Sequence, residues 1–290
     1  MYNKILIPLD GSKQAEAVLP YAQFLASNLQ LPVELLHVND PESVAPSIHP
    51  TRAGDYLDQA AAAFLSRLPV NCAVKNGPAA EVILDIASAD VGTLIAMATH
   101  GQSSGHGWLL GRVAQKVLQA SKSPLILIRP KVESLTYSEP CISTVIVPLD
   151  GSRLAEQIFP HIVYLGTKLG LPVVLIRTYT LPTASYFMAA HVSPPDMTAL
   201  REKMKQEIDD YLRARVKELS AQGIAKVSSI LIEGTGPGEI IDLARKTTGS
   251  LVALSTHGRS GMGRWVLGSV TDRVVSNCGA PVLVIRPAAS

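Results

Sequence analysis

The sequence predicts an α/β chain made of two tandem, doubly wound units, each a five-stranded parallel sheet. Three observations predict it. The chain repeats itself: NKILIPLDGSKQAEAVLPYAQFLASNLQLPVELLHV matches STVIVPLDGSRLAEQIFPHIVYLGTKLGLPVVLIRT at an offset of 140. Both copies alternate short β-branched runs with stretches of helical spacing, the pattern of strand–helix–strand crossovers. The strand runs ILIPL and VIVPL are apolar throughout, as expected of strands covered on both faces. At 290 residues the chain is long enough to bury two such cores.

The elements follow in order. After each first strand, Asp-Gly-Ser opens a helix, with Ala15, Val18, Leu19, Ala22, Ala26 and Leu29 on one face of the first copy. Ala155, Ile158, Phe159, Ile162 and Leu169 do the same in the second. LPVELLHV and LPVVLIRT read as second strands, each led in by proline. A long amphipathic helix is predicted over 197–221, with a shorter counterpart over 55–68. AVKNG and SSILIEG are third strands; AAEVILDIASA and GEIIDLARKT are helices. TLIAMAT and SLVALST are fourth strands, now at an offset of 157 because the second copy has a longer middle segment. VAQKVLQAS and SVTDRVVSN are the last helices, and PLILIRP and PVLVIRP the last strands. The units are expected over 1–131 and 141–290, joined by VESLTYSEP at 132–140. Sheets of this kind bind ligands at the carboxyl ends of their strands, near the switch point.

Composition narrows the function. The charged fraction is 17% and the net charge +2, which does not call for a nucleic-acid partner. Residues 141–290 carry 16 basic and 12 acidic side chains, against 10 and 12 in residues 1–140, a balance that suits an anionic ligand in the second copy. No apolar run reaches the ~20 residues of a membrane span, and MYNKILIPLDGS lacks the apolar core of a signal peptide. The expected setting is the cytoplasm, with no membrane contact. Cys72, Cys141 and Cys278 are too few and too scattered for a disulfide framework or a zinc cluster, so buried free thiols are expected.

The chemistry concentrates after the fourth strands. STHGRSGMGRWVLGS (255–269) and ATHGQSSGHGWLLGR (98–112) share THG, nine further residues and another glycine. Glycines there let the backbone approach a ligand. Gly268-Ser269 falls at a helix start, where free N–H groups and the dipole attract phosphate. Ser269 reads as an N-cap, with Asp272 three residues on. A structural glycine loop leading into a capped helix is the plain alternative.

Taken together, PLDGS after strand one and THGRSG…LGS after strand four make the chain resemble the universal stress protein family, in its tandem two-domain form, over nearly its whole length. Nucleotide-binding members carry Gly-x2-Gly-x9-Gly-Ser/Thr. Copy two departs only at Ser255, which stands for the first glycine. The resemblance implies a Rossmann-like fold and ATP as ligand, with Mg²⁺ as an accompanying ion held chiefly through phosphates. By position, Pro148, Leu149 and Asp150 would meet the nucleoside and Thr178 the adenine. Leu254, Ser255, His257, Gly258 and Arg259 would line ribose and phosphates, and Gly268, Ser269 and Val270 would donate to the phosphates. For Asp150 an Asx-turn before Gly151-Ser152 is the alternative. A second site in copy one would comprise Asp10, Val38, Ala98, Gly101, Gly111 and Arg112. There Ala98 replaces the first glycine and Arg112 replaces Ser269's counterpart, either to pair with a phosphate or to fill its place.

Other signals are weaker. His100 and His257 recur beside the loops, as do Trp108 and Trp265; loop packing is the expected role. The run GTGPG at 234–238 is read as a tight turn, since its spacing is not that of a dinucleotide fingerprint. No GxxxxGK[ST] or GxSxG occurs, and no paired carboxylates or evident base accompany the loop, so no catalytic residue is assigned. The apolar segment 181–197 is read as a loop that caps the core, a cover near the second site, or a contact for a partner. Members of the family often pair through the last strand, which would otherwise be a hazardous free edge. The two copies are therefore expected to pack as an intrachain pseudo-dimer. Further association into a homodimer and a protein partner are left open. Three readings compete: an ATP-binding stress-response regulator, a slow ATPase or nucleotidyl-transfer enzyme, and a non-nucleotide scaffold.

Overall fold

The computed structural model describes residues 1–42, 52–62, 64, 68–101, 110–130, 142–181, 196–256 and 267–287. The first half runs β1 (Lys4–Pro8), α1 (Lys13–Glu16), α2 (Leu19–Leu29), β2 (Val33–Asn39), α3 (Ala53–Ala61), β3 (Val70–Asn76), α4 (Ala79–Ser88), β4 (Thr93–Ala98), α5 (Arg112–Ala120) and β5 (Leu125–Ile128). The second runs β6 (Thr144–Pro148), α6 (Arg153–Glu156), α7 (Phe159–Leu169), β7 (Val173–Tyr179), α8 (Met197–Ala221), β8 (Val227–Glu233), α9 (Gly236–Lys246), β9 (Ser250–Ser255), α10 (Ser269–Asn277) and β10 (Val282–Ile285).

All ten strands join one sheet in the order β3-β2-β1-β4-β5-β10-β9-β6-β7-β8. Each half is parallel and doubly wound, as the sequence predicts. β1 shows why both faces must be covered. Ile5 and Ile7 enter one core with α2, α3, α7 and α8, while Leu6 enters the other with α4, α5, α9 and α10.

The halves meet as expected. β5 and β10 pair antiparallel, with Val282 opposite Leu127, Leu283 opposite Ile126 and Val284 opposite Leu125. Reciprocal arginines tie the seam. Arg129 Nη1 donates to the Ser276 carbonyl in the last turn of α10. Arg286 Nη1 donates to the Ala120 carbonyl at the end of α5, at 3.3 Å. Both cations thus sit at the negative ends of helices from the opposite half. Beside the seam, Tyr2 Oη lies 2.8 Å from His161 Nδ1 on α7 and its ring stands edge-on to Tyr164.

Three expectations change. The helix after each Asp-Gly-Ser is two helices, α1 then α2 and α6 then α7, because Pro20 and Pro160 each start a new first turn. The described part of α3 ends at Ala61, short of the predicted 68. Cys72 is exposed on the outer strand β3, whereas Cys278 is buried as expected; Cys141 lies outside the described residues. The linker 132–140 and most of 181–197 lie outside them too.

Candidate functional site

Two equivalent clefts open at the switch points, where the chain leaves β1 and β4 in one half and β6 and β9 in the other. The second cleft is about 830 Å³ and the first about 640 Å³.

Each cleft floor begins with the Asp-Gly-Ser turn. Asp150 Oδ1 accepts from the Ser152 N–H at 2.8 Å, and Ser152 Oγ caps α6 by accepting from Ala155 N at 3.1 Å. Asp10 does the same and also accepts from Ser12 Oγ at 2.6 Å. The Asx-turn is therefore present, and it uses one carboxylate oxygen of each aspartate. The other oxygen of Asp10 rests against Gly101, where a Cβ would stand 2.0 Å from Oδ2. Only glycine at 101 lets that carboxylate take this position.

The opposite wall is the loop after the fourth strand. Its two ends are pinned alike: Gly268 N–H donates to Thr256 O and Gly111 N–H to Thr99 O, both at 2.9 Å. The helix caps correct one expectation. Gly268 is the N-cap of α10 and Ser269 its first helical residue, with no side-chain cap; Gly111 and Arg112 stand likewise in α5. The extended backbone at Gly268 (φ −60°, ψ 138°) makes it the cap, so the serine hydroxyl is not spent on the helix's own N–H groups. The first N–H groups of α10 stay available at the cleft wall.

Five hydroxyls line the second cleft, that of Thr256 among them. Thr271 Oγ1 donates to Ser255 O at 2.9 Å, and Ser255 Oγ donates weakly to Ala155 O at 3.4 Å. These two brace the wall to the floor. The hydroxyls of Thr178 and Ser269 have no hydrogen-bond partner among the described residues and line the space.

A charged cluster supports the floor from outside. The Arg177 guanidinium stacks 4.9 Å over the Tyr211 ring of α8 and lies beside Gly151. Tyr211 Oη donates to Glu156 Oε1 at 2.8 Å, and burial together with Glu156 pushes that phenol's pKa up. In the first half the place of Arg177 belongs to His37, buried, with Nδ1 2.9 Å from the Leu9 carbonyl.

The structure brings Pro148, Leu149, Asp150, Thr178, Leu254, Ser255, Gly268, Ser269 and Val270 to the second cleft. Asp10, Val38, Ala98, Gly101, Gly111 and Arg112 meet at the first, with His100 beside them. His257, Gly258, Arg259, Trp108 and Trp265 lie outside the described residues. Sequence reasoning missed Ala155, Ile176, Gly236, Ile240 and Thr271. Gly236 opens α9 against Thr178, where a Cβ would stand 3.3 Å from Oγ1. The GTGPG run was its signal, and only the adjacency of β7 to β6 turns that run toward the cleft.

A doubly wound unit repeated once, with a glycine-bounded loop and a helix start at each switch point, defines a class of tandem α/β proteins. The universal stress protein family model matches residues 1–129 and again 142–286. The chain belongs to that family. It is 20% identical to a universal stress protein of Mycolicibacterium smegmatis over 98% of this chain and 97% of the relative. A universal stress protein of Methanocaldococcus jannaschii is 26% identical over 49% of this chain and 81% of its own length. The fold is shared with a universal stress protein from Archaeoglobus fulgidus, at a TM-score of 0.73 and 18% identity, covering 99% of this chain and 100% of that one.

Proposed function

We propose that this chain is a cytoplasmic, stress-response regulatory protein whose second unit (141–290) binds ATP, the first unit (1–131) differing in its ligand chemistry. The observation that carries this is the pair of free hydroxyls, Thr178 and Ser269, facing a roomy cleft at the start of α10. An adenine needs an apolar floor, which Leu149, Ile176 and Ile240 supply. A phosphate needs backbone N–H donors and a hydroxyl, which the first turn of α10 and Ser269 supply. Ligand contacts by His257, Gly258 and Arg259 belong to the same reading.

Among the described residues no group of three or more His, Cys, Asp or Glu side chains converges. An accompanying Mg²⁺ would thus draw its oxygens from phosphates and water, with few protein ligands. When bound, ATP would bring a polyanion to a helix start, so its presence would set the local charge that a protein partner meets. No helix among the described residues is long and apolar enough to cross a membrane.

The test is a denaturing extraction of freshly purified chain, with released nucleotide counted by mass spectrometry, followed by calorimetry with Mg-ATP, AMP and cyclic AMP. One ATP per chain is the expected count. No nucleotide in the extract and no heat on titration would leave the scaffold reading in its place.

A further inference from the structure

We propose that the first cleft binds an amphipathic anion: a compact apolar body ending in a single oxyanion. Two superposable frames with different linings carry the inference. Thr178 in the second cleft is Val38 in the first, Ser255 is Ala98, and Thr271 is Ala114. Three of the second cleft's five hydroxyls have become a methyl or an isopropyl group, while Thr99 keeps the hydroxyl of Thr256 and holds it 2.8 Å from His100 Nδ1. The floor stays apolar, with Leu36, Ile83 and Met97. A nucleotide seated there would find fewer partners for its sugar oxygens than in the second cleft, and each one left unpaired costs more than apolar contact returns.

The remaining hydroxyl, that of Ser269, is replaced by Arg112 at the first helical position of α5. Arg112 forms no ion pair among the described residues. A guanidinium offers a planar fork to one carboxylate or phosphate, and this one stands at the positive end of α5. His100 adds an independent sign of an absent polar partner. Its Nδ1 lies 2.8 Å from Thr99 Oγ1, while its buried Nε2 has no hydrogen-bond partner among the described residues. Among the described residues the cleft, about 640 Å³, therefore joins a largely apolar floor to one cation, one unsatisfied nitrogen and, at the Asp-Gly-Ser turn, the Asp10 carboxylate. That combination selects an apolar acid over a polyhydroxylated nucleotide. The inference extends the reading of the second cleft but does not need ATP there.

The full chain is titrated by calorimetry with decanoate, with decyl phosphate and with decanol, and the same titrations are followed by NMR of ¹³C-methyl methionine. Met97 lines this cleft and serves as its reporter. One site for decanoate or decyl phosphate is expected, with a shift of the Met97 methyl and no competition from ATP. The two anions distinguish a carboxylate from a monophosphate as the preferred head. Decanol is expected to bind about tenfold more weakly, and exposed Arg112→Ser should weaken the anions by about the same factor. Equal binding of decanol and both anions, an unmoved Met97 methyl, or an Arg112→Ser variant with full affinity would each overturn the proposal. So would two ATP per chain with Met97 responding to ATP. A chain that binds decanoate as described but no ATP would overturn only the nucleotide reading of the second cleft.

Discussion

Ser269 and Arg112 hold one position in two copies of the same backbone frame, each the first residue of a nine-residue helix. The difference between a small hydroxyl and a long cation at that point sets what can lie against the helix start. Ser269→Arg is expected to lower ATP affinity by about tenfold or more, through lost space and a lost donor. Calorimetry with Mg-ATP reads it, and unchanged affinity would remove the phosphate from this end of the cleft. Position 30 makes a separate prediction. Gln30 caps α2 in the left-handed region (φ 56°), where α7 has Gly170 (φ 64°). Gln30→Gly should stabilise the chain by about 0.5–1 kcal/mol, since a Cβ disfavours that conformation. The urea midpoint checks it. No change would mean that the 2.6 Å hydrogen bond from Gln30 Nε2 to Ser27 O offsets the strain.

At the scale of elements, the strands and their partners were legible because fully apolar β-branched runs recur at fixed offsets in both halves. Burial of Ile5, Leu6 and Ile7 alike is the physical meaning of the ILIPL run. Helix ends were less legible. Spacing of apolar residues reports a face, but a cap is decided by backbone dihedrals, so Ser269 reads as a cap while Gly268 is one. The single helix drawn through Pro20 failed for the same reason: periodicity continues across a break that the proline ring imposes. In the candidate site, the loop ends, the end of β6 and Thr178 on β7 were named from the sequence, and the helix residues that complete the lining were not. Thr271 is one turn into α10 and Gly236 comes from another crossover; only the sheet order brings both to Ser255 and Thr178. Helix α8 also gives an element-scale prediction. Leu219 is fully buried between α8 and the sheet, so Leu219→Ala should cost about 2–5 kcal/mol in a denaturant titration. A loss well under that range would mean that α8 repacks freely.

On the scale of the whole molecule, the seam joins the halves through one antiparallel strand pair, two arginine-capped helix ends and the Tyr2–His161 contact. Burial, aided by the nearby N-terminal charge, pushes His161 down from 6.5 to about 4. Between those values the folded chain binds fewer protons than the unfolded one. Stability from this contact is therefore complete above pH 6.5 and is lost as the pH falls through 4. Thermal midpoints of the native chain should fall more between pH 7 and about pH 4.5 than those of His161→Gln. Parallel curves would assign the acid loss to other groups. The midpoint at neutral pH should also hold over about a hundredfold dilution, since the paired strands belong to one chain. A pair of identical subunits receives every mutation twice, once on each side of its axis. Here the axis passes between Ile126 and Leu283 of a single polypeptide. A codon change at 112 leaves 269 as it was, so the halves can drift apart in chemistry while their backbones stay matched.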